Sequence, residues 1–435
     1  MYQHDSLIIE IQKRPFLRPL IFWIAGILLQ VCFPLQQISF ILLFVALSIL
    51  IFSFFVSGRP HASFLYSNRW VWGLVFSCLV VFLAIQTTAL AEKRFSRPQE
   101  TGLLLSKAQE VRSRMVAKLD NLQLPDEDKS VLATLTVNYR KAMSRDLRNR
   151  FSVTGVAHLL SVSGFHVGIV CAFIRLLLSV FRRSGVVMRW VRYLVTLSCV
   201  WVFTFVSALD VAAVRAAVML TIYITGGVLV RQSDRYNTLA GAAFCMLAYN
   251  PFYLFDIGFQ LSYTAVFFLL YLQPRLSSLI EIRNPIIANP WNVLTVTIAA
   301  QIGTCFLCFY YFGQSSMVFL FTNLSLSLLS TLLIPAALIW MIVPATMPGI
   351  DILRWAIEAM TRCLMWVVDH YAAIPGATLS LRFDFPTLIL SYLCMAFFFM
   401  YFHSRRYWIL IASLATLLVI ICWQMISIPT FRPIY

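Results

Sequence analysis

Residues 284–350 read NPIIANPWNVLTVTIAAQIGTCFLCFYYFGQSSMVFLFTNLSLSLLSTLLIPAALIWMIVPATMPGI and contain no Asp, Glu, Lys or Arg. About 20 apolar residues are enough to cross the ~30 Å hydrocarbon core of a bilayer. This stretch of 67 residues is therefore long enough for two membrane spans, or three. Because lipid offers the backbone no hydrogen-bond partner, spans of this kind are predicted to be α-helices.

Charge-free runs of the same kind recur along the rest of the chain. They lie at residues 38–57, 70–91, 151–174, 236–255 and 407–431. The 435-residue chain is 60% hydrophobic and only 12% charged, which excludes an ordinary soluble protein of this size. We therefore predict an all-α fold, a polytopic integral membrane helical bundle with about 10–13 transmembrane helices.

The composition divides the chain into four parts. N-terminal transmembrane helices are predicted at 1–91, and a basic amphipathic helical insert at 92–150. A transmembrane core follows at 151–340. An amphipathic helix and further transmembrane helices are predicted at 341–435, where the amphipathic part could also lie along the membrane surface.

Basic residues are distributed unevenly between the two sets of loops. If the N-terminus is cytoplasmic, the inner segments hold Lys13, Arg14, Arg18, Arg59, Arg69, Arg182, Arg183, Arg189, Arg192, Arg231, Arg235, Arg275 and Arg283. The short outer loops near residues 35–37, 209–210 and 249–256 hold no Lys or Arg. Because cytoplasmic loops are enriched in these residues, we predict a multi-pass protein of the cell inner (cytoplasmic) membrane with a cytoplasmic N-terminus.

The insert at 92–150 breaks this pattern, since it contains 13 basic and 8 acidic residues and is predicted on the outer side. Long translocated segments can disregard charge. Its apolar residues follow helical spacing: Leu104, Ala108, Val111, Met115, Leu119 and Leu122. Two interpretations are open, a pair of interfacial helices resting on lipid, or a basic surface that meets an anionic polymer from outside.

Polar residues inside apolar spans are costly, which makes them functional candidates. The first cluster lies in VAHLLSVSGFHVG, residues 156–168. Its polar members are His158, Ser161, Ser163 and His166. On one continuous helix, three of them fall within an arc of about 140°, with Ser161 nearby. Gly164 and Gly168 lie four residues apart, a spacing that permits close helix approach.

Two further polar clusters occur at predicted span starts. Asp210 precedes Arg215 by five residues, and Asp256 precedes Gln260 by four. In the predicted topology all three clusters begin on the outer side, so they are expected to share one outward-facing cavity. The alternative is that they form buried networks that lock helices together, with Asp210 and Arg215 as a structural ion pair.

Together these motifs resemble a known family. Residues 158–168 resemble the HLLxxSGxHVG signature of the ComEC-type competence family. Residues 210–219 resemble its RAxxM motif, and residues 256–263 its D-x-GFQLS motif. The order and spacing of the three motifs also match, and the resemblance covers about residues 124–340.

The resemblance implies an inner-membrane channel that passes single-stranded DNA into the cytoplasm during natural transformation. The polar path would comprise His158, Ser161, Ser163, Gly164, His166, Asp210, Arg215, Asp256 and Gln260. Arg215 would meet phosphate or pair with Asp210, while Asp256 and Gln260 would complete the mouth. Expected partners are single-stranded DNA, the lipid bilayer, a periplasmic DNA-capture protein and a cytoplasmic DNA-pulling motor, and a homo-oligomer is an open alternative.

The same resemblance sets limits on chemistry. Fuller family members carry an OB-type domain before the signature and a metallo-β-lactamase-like domain after the last span. The 59 residues of the insert are too few for the first, and no HxHxDH metal motif is present for the second. We therefore expect a non-enzymatic channel with no catalytic residues, cofactor or metal. Cys305 and Cys308, inside an uncharged span, are interpreted as small apolar residues.

Two other functions remain open. An intramembrane serine protease is suggested by Ser161-Val162-Ser163-Gly164, which approximates the GxSG of rhomboids with a histidine nearby. Against it, the first glycine is replaced and His166 lies on the same predicted helix as Ser163. A transporter of a small solute or lipid would use broken helices and polar groups at mid-membrane depth.

Overall fold

A computed structural model of the chain describes residues 14–57, 69–95, 102–180, 185–229, 234–344 and 347–427. Within these residues the secondary structure is sixteen α-helices, three short 3-10 helices and one two-stranded antiparallel sheet.

The α-helices are α1 Leu17–Cys32, α2 Ser39–Ser57, α3 Arg69–Phe95, α4 Leu103–Ala117, α5 Asp126–Val137, α6 Arg145–Val153, α7 Gly164–Ser179, α8 Val186–Val206, α9 Val211–Val228, α10 Arg235–Tyr249, α11 Ile257–Ser277, α12 Pro285–Phe312, α13 Phe319–Ile342, α14 Ile350–Ala372, α15 Phe385–Ser404 and α16 Tyr407–Ser427. The 3-10 helices are Lys118–Asn121, Ala157–Leu160 and Pro251–Phe255, and the strands are β1 Gln314–Ser316 and β2 Thr378–Ser380.

Seven helices among the described residues are long and apolar enough to cross a membrane: α3, α8, α9, α12, α13, α15 and α16. Three shorter apolar helices are α1, α2 and α7. Large apolar side chains such as Phe44 and Leu418 point outward and are 72% and 63% exposed, as expected for a surface in contact with lipid. The all-α polytopic membrane fold is thus confirmed, and the number of 10–13 spans stays a prediction.

The membrane orientation also stays a prediction. Lys13, Arg59, Arg182, Arg183 and Arg231, on which the predicted orientation partly rests, lie outside the described residues.

The chain forms two compact units. The first comprises Met1–Ala142, Leu159–Tyr263 and Thr331–Ala359, and the second comprises Met143–His158, Thr264–Ser330 and Met360–Tyr435. The four-part division expected from composition is a separate matter and stays a prediction.

In the first unit α7, α8 and α9 pack side by side around a shared apolar core. Val170 of α7 and Phe203 of α8 are buried there, together with Ala213 and Ala217 of α9. Short connections join the three helices in sequence, so successive helices run in opposite directions. Consequently α7 and α9 run in the same direction, and their first residues lie at the same end of this bundle.

A second core of the first unit joins α1, α3 and α10. Gly26 of α1 lies so close to α3 that an added Cβ would be 2.6 Å from the Cβ of Ala84. Small residues at such a crossing let the two helix backbones approach each other. Trp23 then packs edge-on against Phe244 of α10, with ring centroids 5.0 Å apart.

The insert is only partly a surface element. Helix α5 is buried along almost its whole length, including Leu132 and Leu135, so the expectation that it rests on lipid is wrong. The reason is that, after its charged first turn, α5 has no polar face to present. Even Thr134 and Thr136 donate their hydroxyl hydrogens to carbonyl groups one turn earlier in the helix, at 2.7 Å. Helix α4 matches the expectation better, since Leu104 is 62% exposed.

The second unit contains α6, α12, α15 and α16 and the small sheet, in which Gln314 pairs with Ser380. The helices α15 and α16 form an antiparallel hairpin, and α12 packs against α15. The Tyr392 hydroxyl donates to the Gly303 carbonyl at 2.7 Å. An added Cβ on Gly303 would lie 2.6 Å from the Phe268 ring, so this position holds a tight packing contact.

Candidate functional site

The signature segment does not form one continuous helix, so the predicted span at 151–174 is wrong. Helix α6 ends at Val153, a 3-10 helix covers Ala157–Leu160, and α7 begins at Gly164. The break arises at Gly155, whose φ of +77° lies in the left-handed region that favours glycine. The Val156 amide donates to the Phe151 carbonyl at 3.0 Å, which closes the helix end as in a Schellman motif.

The break changes how the signature residues are arranged. His158 lies in the 3-10 helix, within the second unit, and does not share a helix face with His166. Ser161 lies in the linker before α7. An added Cβ would meet nothing within 4 Å at Gly168, and at Gly164 only the Cβ of Ala216 at 3.8 Å. The expected close approach at these glycines is therefore wrong.

Ser163 and His166 together cap the first turn of α7. His166 Nδ1 accepts hydrogen bonds from the Ser163 backbone amide at 3.2 Å and from the Ser163 hydroxyl at 3.0 Å. A side chain at the third helical position that reaches back to the N-cap amide is the geometry of a capping box. Because Nδ1 accepts from a backbone N–H, a neutral His166 carries its proton on Nε2.

This cap also bears on the serine protease alternative. The Ser163 hydroxyl is within hydrogen-bond reach of an imidazole, as a nucleophile and its base would be. However, the same lone pair of His166 already receives the Ser163 backbone N–H, which a catalytic base would need free. The imidazole is fully buried in the core of the first unit. Capping therefore accounts for the pairing of these two residues.

Replacing His166 with Ala is expected to lower the free energy of unfolding by about 2–4 kcal/mol, through loss of the cap and of a buried side chain. His166→Gln keeps an acceptor at the third helical position and should lose less. Thermal unfolding of the purified protein in detergent would measure both. Equal losses in the two variants would contradict the capping role.

A fluorophosphonate probe is expected to leave Ser163 unlabelled, with Ser163→Ala as the reference.

Asp210 begins α9 and does not pair with Arg215. Its carboxylate accepts from the Ala212 amide at 3.3 Å, as an N-cap. The two residues before it, Ala208 and Leu209, both have positive φ values, of 58° and 54°. Non-glycine residues in this region each store about 1–3 kcal/mol of strain. The turn between α8 and α9 therefore holds Asp210 in place at a cost in backbone energy.

Arg215 pairs with Asp256 of another segment, so the expectation of an Asp210–Arg215 ion pair is wrong. The distance from Arg215 Nη1 to Asp256 Oδ1 is 3.4 Å. The Arg215 side chain is 5% exposed and the Asp256 side chain 47%. A buried guanidinium requires a nearby opposite charge, and the carboxylate that begins α11 provides it. The glycine at position 258 leaves room for this guanidinium, because a Cβ at that position would lie only 3.3 Å from it.

The start of α11 is further fixed by local hydrogen bonds. Asp256 Oδ1 accepts from the Phe259 amide at 2.7 Å, and Gln260 Nε2 donates to the Leu254 carbonyl at 3.0 Å. The Phe259 and Tyr263 rings lie 4.2 Å apart at their centroids. Gln260 therefore holds the preceding 3-10 helix against α11, a role that its sequence position alone did not indicate.

A basic and aromatic group at the insert also belongs to this region, and it was not singled out from the sequence. Arg112 Nη1 donates to the Asn138 carbonyl at 3.2 Å and lies 5.7 Å from the Tyr139 ring centroid. Arg140 Nε donates to the Asn138 side chain at 2.9 Å. Burial lowers the pKa of Arg112, while the nearby Tyr139 and Asp210 oppose that shift. We call Arg112, Tyr139 and Arg140 the insert patch.

The structure thus brings most of the predicted residues to one region of the first unit. The starts of α7 and α9 share one apolar core, in which Val167 lies with Ala213 and Ala216, and the Arg215–Asp256 pair joins the starts of α9 and α11. The insert patch lies close enough to Asp210 for their charges to interact. His158 belongs to the second unit and is therefore not counted in this region of the first unit. The available signal for the insert patch was the excess of basic residues in the insert.

Comparison with known proteins gives two matches. A family model described as competence protein matches residues 135–408. The chain is also 26% identical over 206 residues to ComE operon protein 3 of Bacillus subtilis (strain 168). That alignment covers 47% of this chain and 25% of the relative, so the chain matches about a quarter of the relative's length. No solved structure matches the chain.

The family match extends beyond the resemblance seen in the motifs, which ends near residue 340. It includes α6 to α15 and every residue of the predicted polar path, from His158 to Gln260. Because the match covers more than half of the 435 residues, this chain belongs to the competence protein family, the ComEC-type family that its motifs resemble.

Proposed function

We propose that this protein takes part in DNA uptake during natural transformation, as an inner-membrane channel that passes single-stranded DNA into the cytoplasm. The observation that carries the proposal is the family match over residues 135–408, which contains all nine residues of the predicted polar path. The channel is proposed to be non-enzymatic, since moving a strand requires a polar route and charge compensation but no bond cleavage.

The site geometry favours the insert patch as the first contact for DNA. A single strand binds through cations that neutralise phosphates and aromatic rings on which bases stack. Arg112, Tyr139 and Arg140 supply both kinds of group within one turn region of the first unit. Arg140 is exposed and Arg112 is half-buried, so both residues reach the protein surface.

Arg215 has a different role in this proposal. Its guanidinium is buried and already paired with Asp256, so a phosphate would have to displace a carboxylate to reach it. The pair instead fixes the start of α9 relative to the start of α11. The pair thereby keeps the polar ends of α9 and α11 in fixed positions. The Ser163–His166 cap likewise fixes the first turn of α7.

The proposal implies partners that the chain would need in the cell. A strand must be delivered to the outer side and drawn through, so we propose a periplasmic DNA-capture protein and a cytoplasmic DNA-pulling motor. Assembly of several copies in the bilayer is a further part of the proposal. His158, Ser161, Ser163, Gly164, His166, Asp210 and Gln260 are proposed to line or shape the path.

Natural transformation frequency in the native host tests the function. A clean deletion is expected to abolish transformation, and the wild-type gene to restore it. The double variant Arg112→Gln/Arg140→Gln should reduce transformation at least tenfold, because it removes two cations that contact phosphate. Membrane abundance of each variant would be matched by immunoblotting.

The control is Arg114→Gln, on the same helix as Arg112. Arg114 is exposed and pairs with Glu110 one turn away at 2.6 Å, so its loss should change transformation less than twofold. An equal effect of control and double variant would contradict the role of the insert patch. If the deletion strain transforms normally in a competent host, DNA uptake is wrong, and transport of a small solute becomes the leading alternative.

A further inference from the structure

A large cavity lies in the first unit, at the opposite end of α7 and α9 from the polar site. Its volume is about 980 Å³, within the range of small-molecule binding sites. The residues that matter for its chemistry are Arg175, Arg189, Arg192, Tyr193, Tyr223 and Arg235. Arg175 follows His166 by nine residues on α7, which corresponds to about 14 Å along the helix axis.

The cavity is strongly cationic. Four arginines line it, from the end of α7 and the starts of α8 and α10, and none of its lining residues among those described is acidic. Arg175, Arg189 and Arg235 make no ion pair with any residue in the described part of the chain. By contrast, Arg14 nearby in the fold is neutralised by Asp234 at 3.2 Å. Such a concentration of like charge favours a bound anion.

The helices that form the cavity expose apolar side chains next to its lining residues, and we call these side chains its apolar rim. Val186, which lines the cavity, and Trp190 one turn further along α8 are exposed, and so is Leu176 on α7. Tyr223 and Tyr193 add aromatic rings, and the Tyr193 hydroxyl hydrogen-bonds the Thr225 hydroxyl at 3.1 Å. Tyrosine and tryptophan concentrate where membrane spans meet water. Helix α8 is long and apolar enough to span a membrane and begins at Val186, so we expect the cavity at such a boundary.

We propose that this cavity binds the phosphate headgroup of an anionic phospholipid, with its acyl chains lying along the exposed apolar side of α8. The arginines account for the phosphate, and the apolar rim accounts for the chains. A nucleic acid strand would use the arginines but would gain nothing from exposed valine and leucine beside them. Basic pockets between spans recognise lipid headgroups by this combination. The inference is independent of the proposed function.

The test uses the purified full chain in a neutral detergent, with lipids retained by the protein counted by native mass spectrometry. Dioleoyl phosphatidylglycerol is the anionic probe, and dioleoyl phosphatidylcholine the zwitterionic control. The wild type is expected to retain the anionic lipid at a saturable site and to prefer it over the zwitterionic lipid by about tenfold or more.

The variant Arg189→Gln/Arg235→Gln should weaken binding of the anionic lipid by roughly thirtyfold, from the loss of two cations. The control variant Arg94→Gln/Arg145→Gln removes two exposed arginines outside the cavity and should bind like the wild type. Unfolding temperatures of both variants would show that they fold. Equal weakening in the two variants would overturn the proposal, because it would reflect net charge alone.

Two competition arms identify the anion. Inorganic phosphate at the same concentration is expected to leave the lipid bound, and displacement by it would indicate a site for a free anion. A 12-nucleotide single strand is expected to compete weakly. If it displaces the lipid more effectively than a second anionic lipid does, the cavity belongs to the nucleic acid path and the lipid proposal is wrong.

Discussion

Replacing Asp256 with Asn is expected to destabilise the protein by about 1–3 kcal/mol, because it leaves the buried Arg215 charge without its partner. Asn keeps an oxygen at Oδ1 and so preserves the cap on the Phe259 amide, which isolates the effect of charge. Arg215→Met should cost less, since it removes the buried charge and leaves a side chain of related length. The double variant should recover part of the stability that Asp256→Asn loses.

Thermal unfolding in detergent, with the four proteins compared at one lipid-to-detergent ratio, measures this cycle. The reference is Asp351→Asn, which breaks an exposed pair with Arg354 at 3.2 Å in a single helix turn. Exposed pairs of this kind contribute about 0–1 kcal/mol, so the reference should remain close to wild type. Additive losses in the double variant would show that Arg215 and Asp256 do not act together.

The membrane fold could be predicted from the sequence because every backbone N–H and C=O group of a span in lipid must be hydrogen-bonded within the protein. In lipid, long charge-free runs are stable as helices, and residues 284–350 accordingly contain α12 and α13, with the short strand β1 between them. Hydrophobicity alone, however, does not locate a helix end. In residues 151–174 the apolar run continues across Gly155, although the backbone there turns into the left-handed region and the helix stops.

The candidate site was predictable as a set of residues but not as a set of contacts. Arg215 was expected to pair with Asp210 because the two are close in sequence. Five residues along a helix place two side chains about 140° apart around its axis, which is unfavourable for contact. The partner instead comes from the start of α11, and only the packing of helices determines that proximity.

The insert shows the same limit in another form. Its basic composition suggested a surface element, and α4 bears this out with exposed Leu104 and Arg114. Helix α5 carries no charged residue after Lys129, and this part of the helix is buried. The mean charge of the whole insert conceals that difference. The exposed α4 and the buried α5 could be distinguished only by considering the polar and apolar faces of each helix separately.

Replacing Gly155 with Ala is expected to destabilise the protein by about 2–5 kcal/mol. A left-handed φ of +77° costs an alanine about 1–2 kcal/mol, and overpacking adds about 1–3 kcal/mol. The added Cβ would lie 2.7 Å from the Cβ of Ser316 and 2.8 Å from that of Phe319. Neither atom is the end of a flexible side chain, so the backbone would have to move.

Gly168→Ala is the matched control, because it lies in the same signature and has no atom within 4 Å of an added Cβ. Gly168 sits inside α7, where alanine is favoured over glycine by about 1 kcal/mol, so this variant should be as stable as wild type or more so. The unfolding temperature in detergent should therefore fall for Gly155→Ala and stay the same or rise for Gly168→Ala. If both variants lose stability equally, the break in the signature helix would not depend on the conformation of Gly155, and the turn would have to be held by its surroundings instead.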